Sequence, residues 1–243
     1  MGTSKAPNPT LVAHQPPYLP HAGFVDKVAQ ADVWVVQDDV QFARADWQHR
    51  NRIRTAAGWR WLTIPVHAHG RPRIDEVTVA DRLWARRHRR AVEQWYRRSP
   101  YRERLAPLWE LAHELRGAPL WRITLEMTQL LLRQVGVTTP AVLESGLGLT
   151  EAETRTPTDR LIALCRRLGC ATYLSGPGGR SYLDEPEWAA SGLELRWQQF
   201  TPPRYGQLHP GFVSGLSVVD LLLCDADPAR RLWPERPATA EAA

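Results

Sequence analysis

Residues 10–42 constrain the fold of this chain more than any other stretch. Thr10 to Ala13 reads as a short buried strand that runs into His14-Gln15-Pro16-Pro17-Tyr18. Phe24 to Ala31 then places Phe24, Val28 and Ala31 at helical spacing, and Asp32 opens a second strand, Val33 to Val36. That strand ends in Gln37-Asp38-Asp39-Val40-Gln41. A strand, a loop, a helix and a strand in this length make a βαβ unit, whose two strands lie parallel in one sheet. Ligands of open α/β sheets bind beyond the carboxyl ends of the strands, and both polar clusters fall there.

The remaining punctuation extends this pattern. Trp59 to Val66 and Ile74 to Val79 read as strands, with a loop containing His67 and His69 between them. Asp81 to about Leu115 becomes helical, with Trp84, His88, Val92, Trp95 and Tyr96 on one face and a break at Ser99-Pro100. A further helix covers about Leu120 to Val135 and closes at Gly136. Ala141 to Glu144, Ala171 to Leu174 and Leu193 to Phe200 read as strands. A helix starts at Thr158, and Leu216 to Leu223 is a helix or buried apolar segment. The expected fold is a three-layer α/β domain over residues 10–227 with a mostly parallel sheet and a helical insertion at about 81–135. Residues 1–9 and 228–243 are expected to be a flexible N-terminus and a mobile tail.

Composition narrows the classes. A chain of 243 residues with 43% hydrophobic content supports one sizeable core. No apolar run approaches the roughly 18 residues that span a bilayer, and no signal segment opens the chain, so a cytoplasmic protein with no membrane span is expected. Cys165, Cys170 and Cys224 form no CxxC pair, which argues against a disulfide framework or a zinc knuckle. The net charge is +5, Lys5 and Lys27 are the lysines, and arginine clusters between Arg82 and Arg104. A solvated helix face accounts for such a cluster, and an anionic partner is the alternative.

Several residues carry chemistry. His14 at a strand end, braced by two prolines, suits a general base, with Gln15, Tyr18 and Lys27 near it in sequence. Asp38 and Asp39 point to opposite faces of an extended chain, so one can reach a site while the other shapes the loop. Gln41 flanks them. Arg50, Asn51 and Arg52 suit the grip of a phosphate or carboxylate. His67 and His69 share a face but lack an evident third metal ligand, so no metal site is assigned. Ser175-Gly176-Pro177-Gly178-Gly179-Arg180 lets backbone approach an anion, with Tyr182 beside it, although it is neither GxGxxG nor a Walker loop. Gln207, in a polar and aromatic loop, can finish a pocket wall.

These segments together resemble the WbqC-like protein family: HQPPYLPHAGF (residues 14–24) with Lys27, AD-x-x-V-x-x-D-x-V-QF (31–42), RNRI (50–53), WLTIPV (61–66), YLSGPGGR-x-YL (173–183) and LSVVDLL (216–222). The resemblance implies a role in bacterial O-antigen and other surface-glycan clusters, or in natural-product biosynthesis, as a group transferase acting on an amino sugar or another amine. A weaker resemblance, over His21-Ala22-Gly23-Phe24 and the flanking strands, is to Rossmann-like nucleotidylyltransferase domains such as pantothenate synthetase. Those carry HxGH, and here Phe24 replaces the second histidine, so only His21 and Gly23 carry over.

The expected function is therefore a transferase forming an amide on a small-molecule amine. His14 is its base, Lys27 and Asp38 or Asp39 assist, and Asn51, the neighbouring arginines and the glycine-rich loop hold an anionic portion. The acyl donor is a carrier protein, a coenzyme A ester, an aminoacyl-tRNA or an ATP-activated acid, so ATP with Mg²⁺ is the cofactor left open. An ATP-dependent nucleotidylyltransferase or ligase, and a non-catalytic sugar- or nucleotide-binding protein, are the alternatives.

Overall fold

A computed structural model describes residues 8–44 and 46–235. The chain forms two compact units. One runs to Gln15 and adds Asp26–Asp39 and Thr139–Phe200; the other comprises Pro16–Val25, Val40–Thr138 and the chain from Thr201. No helix among the described residues is long and apolar enough to cross a membrane.

The first unit is built on a parallel sheet. Its strands are β1 (Thr10–His14), β2 (Val33–Val36), β7 (Ala141–Leu143), β8 (Thr172–Ser175) and β9 (Glu194–Trp197), in the order β7-β2-β1-β8-β9. In chain order this is 3-2-1-4-5, the doubly wound arrangement, in which the order reverses between β1 and β8. Leu11 and Val12 are both fully buried although they point to opposite faces, so the sheet is covered on both sides. On one side Leu11, Ala13, Val35 and Tyr173 pack with Leu161, Ile162, Leu164 and Cys165 of α5 (Pro157–Leu168) and Trp188 of α6 (Glu185–Ala190).

Helix α5 begins where Thr156 accepts from the Asp159 N–H, carries Pro157 in its first turn and stops at Gly169, whose φ is +62°. That is the sequence grammar of a helix start and a left-handed stop. Helix α1 (Ala22–Ala29) connects β1 to β2.

The second unit holds the antiparallel hairpin β3 (Arg50–Thr55) and β4 (Gly58–Thr63), the short pair β5 (Val66–His67) and β6 (Thr78–Val79), and helices α2 (Trp84–Trp95), α3 (Ala106–Glu114), α4 (Leu120–Gln134), α7 (Val218–Cys224) and α8 (Pro228–Leu232). Its interior uses polar groups as fasteners. Asp220 is fully buried and accepts from the hydroxyls of Tyr96 and Tyr205, each at 2.7 Å, and from the Gln207 amide at 3.0 Å. The buried Arg54 guanidinium donates to the carbonyls of Thr55, Gly58 and Pro210, tying the hairpin to the 209–211 loop.

Tyr18 donates to His88 Nδ1 at 2.7 Å, because His88 Nε2 must carry the proton it gives to the Thr63 carbonyl. Burial pushes His88 down to about 4, so this ring is neutral.

Several boundaries differ from the sequence reading. Trp59–Val66 is two strands, because Pro65 interrupts the ladder. Ile74–Glu76 is a 3-10 turn before the short β6. Arg50–Thr55 is an additional strand. The expected mobile tail begins too early, since Asp227 caps α8 and Leu232 is buried; residues 236–243 lie outside the described residues. At the other end the Pro9 carbonyl already accepts from the Ala171 N–H at the start of the central strand, and residues 1–7 lie outside the described residues.

Leu19 is the one non-glycine among the described residues with positive φ, +46°, and it is fully buried. Asn51 fixes it, donating to the Leu19 carbonyl at 2.6 Å and the Tyr18 carbonyl at 3.3 Å while accepting from the Arg52 N–H at 2.7 Å. Asn51→Ala strands these buried groups and is expected to destabilise the protein by about 3 kcal/mol in urea titration. A loss near zero would show that the Leu19 turn holds itself.

Candidate functional site

The ladder between β1 and β8 pairs Thr10 with Thr172 and Leu11 with Tyr173, then ends, although β1 continues to His14 and β8 to Ser175. Between β1 and β2 the ladder runs through to His14 opposite Val36. The two central strands thus part at their carboxyl ends, at the topological switch point, and open the crevice where such sheets bind ligands.

Lys27 serves that crevice. It lies in the last turn of α1, but side chains lean toward a helix N-terminus, which carries its long stem back toward the strand ends. A Cβ built on Gly176 would sit 4.0 Å from Lys27 Nζ, which places the amine against the loop that leaves β8. Lys27 is only 7% exposed, and burial lowers its amine from 10.5 to about 8. The neighbouring Asp26 is also buried and accepts from the amides of Gln30 and Gln198, each at 2.7 Å. Gln198 in turn donates its N–H to the Ser175 carbonyl at 2.8 Å. This chain of bonds fixes the ends of β8 and β9 beside α1.

His14 stands at the other lip. Its Nδ1 lies 2.7 Å from the Gln15 carbonyl, which can only accept, so Nδ1 carries a proton and Nε2 is the nitrogen that can act as a base. The His14 carbonyl is held by the Gln37 N–H at 3.1 Å and the Trp34 indole N–H at 3.2 Å.

The glycine-rich loop is a 3-10 turn, Pro177–Ser181. A Cβ on Gly179 would lie 2.1 Å from Ser175 Oγ and 3.0 Å from the Trp197 ring, so only glycine fits. A Cβ on Gly178 would meet nothing within 4 Å. Arg180 stacks over Trp197 at 4.3 Å, and Tyr182 beside it is half exposed.

A second polar cluster closes β2 and β7. Asp38 is buried and accepts from the Ser145 N–H at 3.1 Å and hydroxyl at 2.7 Å, so its carboxylate shapes the loop. Arg160 lies between Glu144, at 2.5 Å, and Asp39, at 3.5 Å. Burial raises Glu144, against the opposing pull of Arg160. The sequence reading missed Glu144 and Arg160. The signal was there, since Glu144 follows Ala-Val-Leu at a strand end as His14 and Gln37 follow theirs.

Six of the expected site residues lie in the second unit and meet other partners. Tyr18 is inside the core on His88, Asn51 is spent on backbone, and Gln207 bonds Asp220 and the Val213 carbonyl. Gln41 forms a bridge with Arg73. Arg50 and Arg52 stack on tryptophans, and Arg52 donates to the Gly215 carbonyl at 2.9 Å. His21 Nδ1 accepts from the Phe24 N–H at 3.3 Å, so this ring helps to start α1.

The lowered pKa of Lys27 has a stability sign. Between about 8 and 10.5 the unfolded chain binds the Lys27 proton and the folded one does not, so this contribution to stability rises with pH through that window. At pH 7 the buried ammonium is a cost. Lys27→Met is expected to stabilise the protein at pH 7, by on the order of 3 kcal/mol at most, with the gain shrinking toward pH 10. Chemical denaturation across pH reads this directly, and a destabilised variant at pH 7 would contradict it. Gly179→Ala is expected to lower the melting temperature, because Ser175 and Trp197 must move; an unchanged melting temperature would refute the close packing.

The model of the WbqC-like protein family matches residues 15–231. The uncharacterized protein Rv1507c of Mycobacterium tuberculosis is 31% identical over 209 residues, covering 84% of this chain and 89% of that protein. No solved structure matches. The motifs that surround the crevice and build the second unit lie almost wholly inside the matched span, and the chain belongs to the WbqC-like protein family.

Proposed function

We propose that this protein is a biosynthetic transferase that forms an amide on an amine-bearing small molecule, an amino sugar or a related metabolite, in surface-glycan or natural-product biosynthesis. The observation that carries the reading is the buried amine of Lys27, lowered to about 8, set against the Gly176 backbone where β1 and β8 part. A lysine kept out of water at a switch point is an expensive feature, and such groups concentrate where charge develops during a reaction.

In this reading the acceptor arrives as the neutral amine and loses one proton to His14 Nε2 as its nitrogen bonds to the acyl carbon, the tautomer of His14 being set by the Gln15 carbonyl. The amine nitrogen attacks the acyl carbon, and the Lys27 ammonium stabilises the oxyanion that forms. Collapse expels the donor's leaving group, which takes up the proton held by His14. The glycine-rich loop and Arg180 flank the anionic part of the donor. Asp38 is assigned to loop structure, since Ser145 occupies its carboxylate, and Asp39 is held by Arg160.

The test offers amino sugars, free and nucleotide-linked, with acyl-coenzyme A or aminoacyl-tRNA, and follows the amide by mass spectrometry. His14→Ala should lower kcat about a hundredfold or more while substrate binding survives. The wild-type rate should fall as pH rises through about 8, where Lys27 loses its proton. Lys27→Arg should carry activity to higher pH or abolish it, and an alkaline limb unchanged in an active Lys27→Arg enzyme would remove Lys27 from the role.

A further inference from the structure

The hairpin of the second unit carries an unusual outer face. Paired residues of an antiparallel ladder share a face, and the register sets Arg50 opposite Thr63, Arg52 opposite Trp61 and Arg54 opposite Trp59. The opposite face holds Asn51, Ile53 and Leu62, all buried, and is the core side. On the first face Arg54 is buried among the carbonyls it serves, so the part left toward solvent is Arg50, Arg52, Trp59, Trp61 and Thr63.

These side chains form a continuous strip. The Arg50 guanidinium lies 4.4 Å from the Trp61 ring centre. The Arg52 guanidinium lies 5.4 Å from Trp47, 5.1 Å from Trp59 and 5.7 Å from Trp61. His21 extends the strip, its ring 5.7 Å from that of Trp47. Arg52 is braced from behind, since its Nη2 donates to Gly215, a glycine at φ +68° whose Cβ would clash at 2.9 Å. Its Nε is buried and has no hydrogen-bond partner. Trp59 is 44% exposed, although an indole is costly to leave in water.

We infer that this strip is a binding site for a nucleotide, with the base stacked on Trp59 and the phosphate held by Arg50 and Arg52. Exposed indoles accept the flat face of any base, and guanidiniums bind phosphate oxygens bidentately. Arg52 is already oriented by Gly215, so little ordering cost is left for the ligand to meet. The same chemistry is offered by a free nucleotide and by the single-stranded end of an RNA. The exposed face of α2, with Arg86, Arg87, Arg89 and Arg90, belongs to the same unit and would add phosphate contacts only for the RNA.

Calorimetric titration of the full chain with AMP, UMP, glucose 1-phosphate and inorganic phosphate tests this. AMP and UMP should bind, and Trp59→Ala should weaken both about tenfold or more while Trp59→Phe largely restores them. Trp59 is exposed, so the variant should melt as the wild type does. Lys27→Met should keep nucleotide binding, which separates this site from the proposed transferase centre.

A short single-stranded RNA that binds more tightly than AMP, with a steep salt dependence lost in Arg86→Gln/Arg90→Gln, identifies the RNA source. Equal affinities identify the free nucleotide. No binding of AMP or UMP at millimolar concentration, glucose 1-phosphate binding as well as AMP, or binding unaffected by Trp59→Ala would each overturn the assignment and leave the strip as a hairpin brace.

Discussion

A parallel strand buried on both faces can present polarity only at its ends. In the first unit this constraint decides where chemistry can reside, because Leu11, Val12, Ala13, Trp34, Val35 and Val36 leave β1 apolar between Thr10 and His14 and β2 apolar through its last three residues. Every functional group therefore stands beyond a carboxyl end or arrives from a helix. The early end of the β1–β8 ladder turns that general rule into one place, and Lys27 arrives there from α1. The neighbouring cluster of Glu144, Arg160, Asp38 and Ser145 stiffens the next pair of strand ends without using that opening.

The fold of the first unit was legible because its signals are local. Hydrophobic runs with β-branched residues, the Thr156–Pro157 start and the Gly169 stop of α5 each act over a few residues. The second unit was less legible. Its strand β3 alternates arginine with Asn51 and Ile53, a pattern without the apolar alternation of a strand, and the partner strand supplies the tryptophan on which Arg50 stacks. Residue type alone could not separate an anion ligand from a fastener, since both need the same donors. Asn51 and Arg54 turned out to serve backbone carbonyls, and Gln207 a buried carboxylate.

The site was readable in the same uneven way. His14, Lys27 and the Ser175–Tyr182 loop adjoin the crevice, because position after a strand is a topological property. Glu144 was passed over as a strand residue, and the Asp26–Gln198 link spans most of the chain, so no local pattern announces it. Tyr18 followed the His14 motif in sequence, yet it is drawn into the second unit by His88.

Lys27 also has a standing among the charges of the chain. Arginine supplies almost all of the positive charge, and lysine occurs only at Lys5 and Lys27. A guanidinium keeps its proton at any pH at which the protein is folded, so those charges are a fixed background. The buried amine at the sheet crevice is different in kind, a cation whose charge can be switched off within reach of neutrality. The arginine-rich composition, which at first suggests only a basic surface, thus isolates one lysine as an adjustable charge in an otherwise constant field.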